Sequence, residues 1–466
     1  MKNTKIIAII ALVASVFVVA LLVLPSLLNQ SGKDESSYYS PISVNPPPEN
    51  LSEPAENSKP ANIDSYGLAV LDILNNLKNL ETSFAVRVDE EYIAKINDAL
   101  GSDAVEKLAN ALVEGKVTDK TIFSVLGYSD KAFVSLVENQ LERTTVLENT
   151  ENGITDFVFV GDTGFFDGYS VMNQYNARGK GVEGIVSGEV LEIMRAATVT
   201  MANNEFTLTT RGKPIPNKKW TFRGKPENVK IYYEMGVDIV GLANNHAFDY
   251  GPESLTDTLA TLDDAGIARV GAGENLEEAK APYFYIVNGV KIAIVAGSAI
   301  DPYSTRGAKE NQSGVFQIFD TVSMCKEIEA AKEKADYVIA YVHWGLESTT
   351  VLTGGQKSMG KAFVDAGADL VVGMHSHCMQ GLEYYKGKLI AYSLGNFTFS
   401  SHNLTCGMLK TTITPEGEMI NKYYPMMQER NFTYINSGEK GESQLALLRS
   451  LLVNAKISED YTVTES

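Results

Sequence analysis

Four of the five histidines in the chain directly follow short apolar runs that are typical of buried β-strands. Acidic and amide side chains also directly follow such strand-like runs. The strand-end candidates are Asp162, Glu205, Asn244, Asn245, His246, His343, His375 and His377. In open α/β sheets, ligands bind at the carboxyl ends of the strands. Carboxylate, amide and imidazole groups together suit zinc, manganese or iron, so the pattern predicts a site for one or two divalent metal ions.

Each of these residues taken alone has a simpler explanation. An aspartate after a strand is usually a helix cap or a turn residue, and a histidine in an α/β core commonly packs there. His375 and His377 are a stronger signal, because residues two apart in an extended chain face the same way. The recurrence at five strand ends is what favours a metal site over packing.

The segments that must position these side chains alternate between strand-like and helix-like runs after Gly153. Strand-like runs occur at 157–160, 237–240, 337–342 and 368–372, and helix-like runs at 253–265 and 322–334. This alternation is typical of an α/β fold. The pair Asn288-Gly289 between two apolar runs predicts a hairpin, and therefore mixed rather than purely parallel sheets.

Six motifs over 161–397 resemble, in their order, those of the CapA capsule-synthesis family. They read Gly161-Asp162, Asn203-x-Glu205, Ala243-Asn244-Asn245-His246-x-x-Asp249-x-Gly251, His343-Trp344-Gly345-x-Glu347, Gly373-x-His375-x-His377 and Tyr392-Ser393-Leu394-Gly395-Asn396-Phe397. The resemblance implies a role in synthesis or export of poly-γ-glutamate capsule at the cell surface. It also implies a four-layer α/β/β/α sandwich like that of the calcineurin-like metallophosphoesterases, with a two-metal centre.

The same resemblance assigns roles to residues. The ligand positions match Asp162, Glu205, Asn245, His343, His375 and His377. Glu205 matches the bridging carboxylate, His246 matches a general acid, and Asp249 is expected to orient it. Two positions depart from the pattern: Gly164 stands where related phosphoesterases have a histidine, and Met374 replaces another. Two hypotheses therefore stand, a metal-dependent hydrolase of a phosphoester or amide, and a non-catalytic scaffold that binds capsule polymer or the synthase.

A basic segment follows Glu205 in an otherwise acidic chain whose formal net charge is −18. Its cations are Arg211, Lys213, Lys218, Lys219, Arg223 and Lys225. We expect the first five, with Asn244, to attract an anionic polymer or phosphoester substrate to the metal edge. The alternative is a solvated loop. The overall negative charge argues against nucleic acid as a partner.

The N-terminus predicts a membrane anchor. Lys2 and Lys5 precede an apolar run at 6–28, which is long enough to span a bilayer, with the rest of the chain outside. A cleaved signal peptide is the alternative. The expected organisation is a signal-anchor helix at 1–29, a disordered linker at 30–65, a helical module at 66–152, the CapA-like domain at 153–430 and a tail at 431–466. Single-pass attachment to the cell membrane, with the domain extracellular, makes capsule-synthase membrane proteins candidate partners.

Overall fold

The computed structural model describes residues 90–104, 107–108, 111, 122–137, 139–147, 152–300, 305–399 and 402–466. The chain divides into two compact units, Met1–Gln140 and Leu141–Ser466. The predicted signal-anchor at 1–29 and the linker at 30–65 lie outside the described residues. Within the described ranges, no helix combines the length and the apolar character needed to cross a membrane.

Ten α-helices are found in the described part of the chain. In chain order they are α1 (Glu90–Leu100), α2 (Asp130–Val137), α3 (Ser170–Arg178), α4 (Gly188–Ala196), α5 (Lys230–Met235), α6 (Pro252–Asp264), α7 (Leu276–Lys280), α8 (Val322–Lys334), α9 (Gly354–Asp365) and α10 (Gly438–Ser450). Short 3-10 helices cover Ile122–Leu126, Gly181–Gly184 and Pro226–Val229. In the first unit, α1, α2 and the first 3-10 helix share a small apolar core that includes Ile96, Phe123 and Phe133.

Within the described residues, the strands all belong to the second unit. In chain order they are β1 (Thr144–Val146), β2 (Thr155–Thr163), β3 (Val199–Asn204), β4 (Thr207–Leu208), β5 (Arg223–Gly224), β6 (Ile239–Gly241), β7 (Ala268–Val270), β8 (Ala272–Gly273), β9 (Tyr283–Val287), β10 (Val290–Ser298), β11 (Gly314–Val315), β12 (Tyr337–His343), β13 (Leu370–Met374), β14 (Leu382–Tyr385), β15 (Lys388–Ala391), β16 (Asn396–Thr398), β17 (Leu404–Ile413), β18 (Met419–Glu429), β19 (Phe432–Ile435), β20 (Ala455–Ile457) and β21 (Thr462–Glu465).

Two large sheets organise this unit. One has ten strands, along the path β20-β21-β18-β17-β2-β3-β6-β7, with β16 beside β2 and β19 beside β18. The other has seven, in the order β1-β9-β10-β12-β13-β15-β14. Each sheet combines a parallel centre, β2-β3-β6-β7 or β10-β12-β13-β15, with antiparallel pairs at its side. The prediction of an α/β fold with mixed sheets is confirmed, and Asn288 and Gly289 form the turn of the β9-β10 hairpin with positive φ.

Three apolar cores hold the sheets and helices together. Alternate residues of β2 show the pattern: Phe157 and Phe159 face a core shared with the seven-stranded sheet, whereas Val158 and Val160 face a core shared with α3 to α6. A third core packs α8 and α9 on the seven-stranded sheet. Because successive strand residues point to opposite faces, a strand buried on both sides reads as a continuous apolar run.

The second unit extends beyond 153–430 at both ends. On the N-terminal side, Thr144–Val146 forms β1 at the edge of the seven-stranded sheet, although this segment was expected within the helical module. On the C-terminal side, the tail at 431–466 contributes β19, α10, β20 and β21, and Leu445, Leu448 and Val463 enter the core between the sheets. These short, half-polar segments depend on contacts far along the chain, so local periodicity does not reveal them.

Candidate metal centre

The ends of parallel strands bring the predicted residues to one edge of each sheet. In the ten-stranded sheet, Asp162 of β2 pairs in register with Asn203 of β3, which pairs with Gly241 of β6. In the seven-stranded sheet, His343 of β12 pairs with Met374 of β13. Because the two sheets face each other across a common core, side chains from both edges meet.

Glu205, His343 and His375 form one group of buried side chains whose ligand atoms lie within 4.8 Å of one another. His343 Nε2 lies 3.4 Å from Glu205 Oε1 and 3.0 Å from His375 Nδ1. The predicted ligand Asn245 joins this group, with its Oδ1 2.7 Å from His343 Nε2. A carboxylate, two imidazoles and an amide oxygen therefore converge on one point.

Asp162, Glu205 and His377 form a second group with the same 4.8 Å spread. His377 Nδ1 lies 3.3 Å from Asp162 Oδ2, and His377 Nε2 lies 3.9 Å from Glu205 Oε1. Glu205 belongs to both groups, as expected of a bridging carboxylate. Asp162 Oδ2 and Glu205 Oε1 are fully buried and accept no hydrogen bond from the described residues. Buried carboxylate oxygens without a donor are costly, and a cation between the groups would satisfy both.

Burial and the charges of neighbouring groups together set the protonation states of this cluster. Burial raises the pKa of Glu205 well above its ordinary value, and the charges of Asp162 and Glu347 raise it further. It lowers the pKa of His343 to about 3 and that of His375 well below its usual value, so both rings are neutral, the form that binds metals. Burial opposes the charged forms of Asp162 and His377 as well, but their mutual attraction prevails: the pKa of Asp162 is lowered and that of His377 is raised.

The turn that carries His375 and His377 has unusual backbone geometry. His375 has φ 95° and His377 has φ 56°, a region that residues other than glycine rarely occupy. The buried Ser376 between them holds the turn through its hydroxyl, which donates to the Cys378 carbonyl at 2.7 Å. Such strain persists where the surroundings hold it, and it is common at functional sites.

His246 and Asp249 lie beside the two groups. His246 Nδ1 donates to Asp249 Oδ2 at 2.7 Å, which leaves Nε2 outside this hydrogen bond. Burial lowers the pKa of His246, although the charge of Asp249 opposes the shift. The rings of Phe222 and Phe399 lie 4.4 and 6.4 Å from the His246 ring, so this side of the site is walled by aromatic groups.

The basic segment does not present all of its cations to solvent. Lys218 is nearly buried, and its ammonium group contacts Asp249 Oδ1 at 2.5 Å and the Asn245 carbonyl. Arg211 pairs with Asp257, and Arg223 lies over the ring of Tyr250. Lys213 and Lys219 are exposed, the latter beside the exposed Trp220. The structure thus divides the predicted substrate-binding cations into an inner lysine and an outer group.

Asn244 differs in placement from the expectation that it contacts substrate. It is fully buried, and its Nδ2 donates to Asn203 Oδ1 at 3.1 Å and to the Asn204 carbonyl at 2.9 Å. Its Oδ1 accepts from the backbone N–H of His246 at 3.0 Å. The side chain therefore braces the turn that carries Asn245 and His246.

Two asparagines that were not assigned a role support the ligands. Asn203 Nδ2 donates to Asp162 Oδ1 at 2.7 Å, and Asn396 Oδ1 lies 2.8 Å from His377 Nδ1. Both asparagines belong to motifs of the sequence, so their positions in those motifs could have indicated this supporting role. Groups that orient metal ligands in this way usually set the geometry and the affinity of the site.

Gly164 is enclosed by the ring of Phe166. A Cβ atom at this position would lie 2.1 Å from Cε1 of that ring, so a histidine here would require the ring to move. At this position, where related phosphoesterases have a histidine, the ring of Phe166 thus fills the space that a side chain would need.

Comparison with known proteins places the chain in a family. The model of the bacterial capsule synthesis protein PGA_cap matches residues 156–401. The capsule biosynthesis protein CapA of Bacillus anthracis is 38% identical over 179 residues, which is 38% of this chain and 43% of that protein. The PGA biosynthesis protein CapA of Bacillus subtilis (strain 168) is 36% identical over 211 residues, 44% of this chain and 54% of that protein.

The chain thus spans about half the length of the curated relatives it matches. Among solved structures, the NAD nucleotidase of Haemophilus influenzae has a TM-score of 0.36 at 12% identity, covering 64% of this chain and 56% of that one. The family match covers the strands and turns that carry every candidate ligand. The chain belongs to the bacterial capsule synthesis protein PGA_cap family.

Proposed function

We propose that this chain acts at the cell surface in the synthesis or export of an anionic capsule polymer such as poly-γ-glutamate, through a metal-dependent hydrolase site. The family supports the capsule role. The observation that carries the hydrolase role is Glu205, a buried carboxylate with an oxygen that accepts no hydrogen bond from the described residues and that two groups of ligand-type side chains share. The phosphoester is the first candidate substrate bond, and the amide is the second.

The donors fit divalent manganese, zinc or iron, as one or two ions. Glu205, His343, His375 and Asn245 would hold one ion, and Asp162, Glu205 and His377 the other. When bound, such ions polarise the scissile group and lower the pKa of water. The facing sheets with helices on their outer sides correspond, in this proposal, to the four-layer α/β/β/α metallophosphoesterase-like sandwich.

The chain's own residues would manage the proton and the substrate. Asp249 fixes the His246 ring so that Nε2 faces the reacting group, where it can hold the proton that the leaving group takes. Phe222 and Phe399 limit water on this side. The exposed Lys213 and Lys219 would attract the anionic polymer from the mouth of the site.

A non-catalytic scaffold is the second candidate, and Gly164 is the observation that favours it. The missing histidine leaves the group of Asp162, Glu205 and His377 with three donors, and Phe166 occupies the space of a fourth. In that case, the surface around the candidate site would bind polymer or synthase membrane proteins without catalysing a reaction.

Metal content and hydrolysis together decide between the two. We expect the full chain, reconstituted with manganese or zinc, to retain metal and to hydrolyse bis(p-nitrophenyl) phosphate. His375→Ala combined with His377→Ala should abolish both properties, whereas His402→Ala, at the remaining and exposed histidine, should leave both unchanged. Metal retention without hydrolysis of a phosphodiester or a γ-glutamyl amide would favour the scaffold. A wild-type protein that retains no metal would refute the metal site.

The cellular location is proposed from the sequence of the N-terminus. The apolar run at 6–28 would anchor the chain, with the folded part outside and close to capsule-synthase membrane proteins. Protease added to intact cells should remove the folded part and leave a short membrane-bound fragment. Recovery of a soluble protein that begins near Gln30 would instead show that the segment is a cleaved signal.

A further inference from the structure

Lys218 is the cation of the basic segment that contacts the turn carrying Asn245. Its ammonium group contacts Asp249 Oδ1 at 2.5 Å and also the backbone carbonyl of Asn245. The side chain is only 12% exposed, and Asp249 is fully buried. An ammonium group held on a buried carboxylate and on a carbonyl of the ligand-bearing turn is poorly available to a polymer in solvent.

The backbone of the basic segment also donates hydrogen bonds to Asp249. The Phe222 N–H donates to Asp249 Oδ2 at 2.6 Å, and the Ile215 N–H donates to the Asp249 carbonyl at 2.9 Å. Asp249 Oδ2 also accepts from His246 Nδ1. One carboxylate therefore receives the imidazole, the ammonium and a backbone N–H, and two of these three donors come from the basic segment.

We propose that Lys218 is a positioning residue that fixes the Asp249 carboxylate against His246 and so couples the basic segment to proton transfer. This inference rests on the proposed hydrolase function. The segment carries the exposed Lys219 and Trp220 directly beside Lys218. Substrate contact at the outer residues and orientation of the His246 ring thus depend on one short stretch of chain.

Kinetics of the manganese-loaded full chain provide the first test. Lys218→Met keeps the apolar stem but removes the ammonium group, and we expect kcat for bis(p-nitrophenyl) phosphate to fall about 10²-fold with KM and metal content near wild type. His246→Gln should lower kcat by a similar factor, and the double variant should lose no more than either single one, because both act through one unit. Lys180→Met, which removes the same charge from an exposed lysine, serves as the control.

The second test does not depend on turnover. In zinc-loaded protein, the hydrogen-bonded Nδ1–H of His246 should give an NMR resonance that is absent in His246→Gln. We expect this resonance to shift or vanish in Lys218→Met and in Lys218→Gln, and to persist in Lys180→Met. An unchanged resonance in both Lys218 variants, or multiplicative losses of kcat in the double variant, would overturn the proposal. A wild-type protein without turnover would refute the hydrolase function alone, since the resonance still tests the positioning role.

Discussion

Glu205 concentrates the energetic cost of the site in one side chain. It is fully buried, its Oε1 accepts no hydrogen bond from the described residues, and Asp162 lies close by with the same sign of charge. A buried acidic side chain of this kind lowers the stability of the fold. Residues that serve function often carry such a cost in stability. Glu347, whose charge also raises the pKa of Glu205, is exposed and therefore carries much less of this cost.

Glu205→Gln separates stability from function. With metal removed by EDTA at neutral pH, we expect the variant to be about 1–3 kcal/mol more stable than wild type. The raised pKa of Glu205 means that folding must either protonate this side chain or bury its charge, whereas glutamine is neutral in both states. Metal binding should be lost. Thermal unfolding with and without added manganese measures both effects, with Glu347→Gln as the exposed control. A variant less stable than wild type in EDTA would show that Glu205 supports the fold instead.

Metal affinity should rise with pH. The pKa values of Glu205 and His377 are both raised in the folded protein, so both groups hold a proton to higher pH than usual. A metal ion must displace these protons, and its apparent affinity therefore falls as pH falls through those pKa values. Calorimetric titration with zinc in buffers of different ionisation enthalpy should show proton release that shrinks toward high pH. Affinity independent of pH would contradict this account.

At the scale of elements, β2 and the loop before β16 approach each other unusually closely. The Asp162 N–H donates to the Gly395 carbonyl at 3.0 Å, and a Cβ atom on Gly161 would lie 1.7 Å from that carbonyl oxygen. Only glycine permits this approach, which sets the position of Asp162 at the strand end. The glycines of the two motifs thus position a residue of the candidate metal centre through backbone geometry.

Gly161→Ala should therefore damage both fold and site. We expect a loss of at least about 2–3 kcal/mol in the free energy of unfolding, because the neighbouring atom is backbone and cannot rotate away. Metal content should fall as Asp162 shifts. Gly188→Ala in α4 is the matched control, since a Cβ there meets nothing within 4 Å. Denaturant unfolding and metal analysis of both variants would test this, and equal stability would contradict the close approach.

The sequence predicts those elements whose signal is local. The central strands are continuous apolar runs, and Asn288-Gly289 is a turn dipeptide with a known geometry, so the mixed α/β fold and its strand-end residues were within reach. The partners of Lys218 could not be predicted from the sequence, because they depend on how a long loop folds back over the turn at Asn245. The strands after Glu429 were also missed, since they are half-polar and gain stability from distant neighbours.

For the whole molecule, the net charge opposes an anionic partner, whereas the exposed cations of the basic segment act against that repulsion. The formal net charge is −18, and Lys213 and Lys219 are exposed on the basic segment. The net charge would thus repel a polyanion, and these two cations would attract it locally. Local cations, rather than net charge, should decide whether polyglutamate binds.

Charge reversal at two places tests this directly. Lys213→Glu with Lys219→Glu should weaken polyglutamate binding strongly, whereas Lys326→Glu with Lys334→Glu, at exposed positions of α8, changes the net charge equally and should have a smaller effect. Wild-type affinity should fall as salt rises, because the Debye length shrinks from about 10 Å at 0.1 M to about 3 Å at 1 M. Binding measured by light scattering or calorimetry would show the difference. Equal effects of the two pairs would mean that only net charge matters and that the basic segment is a solvated loop.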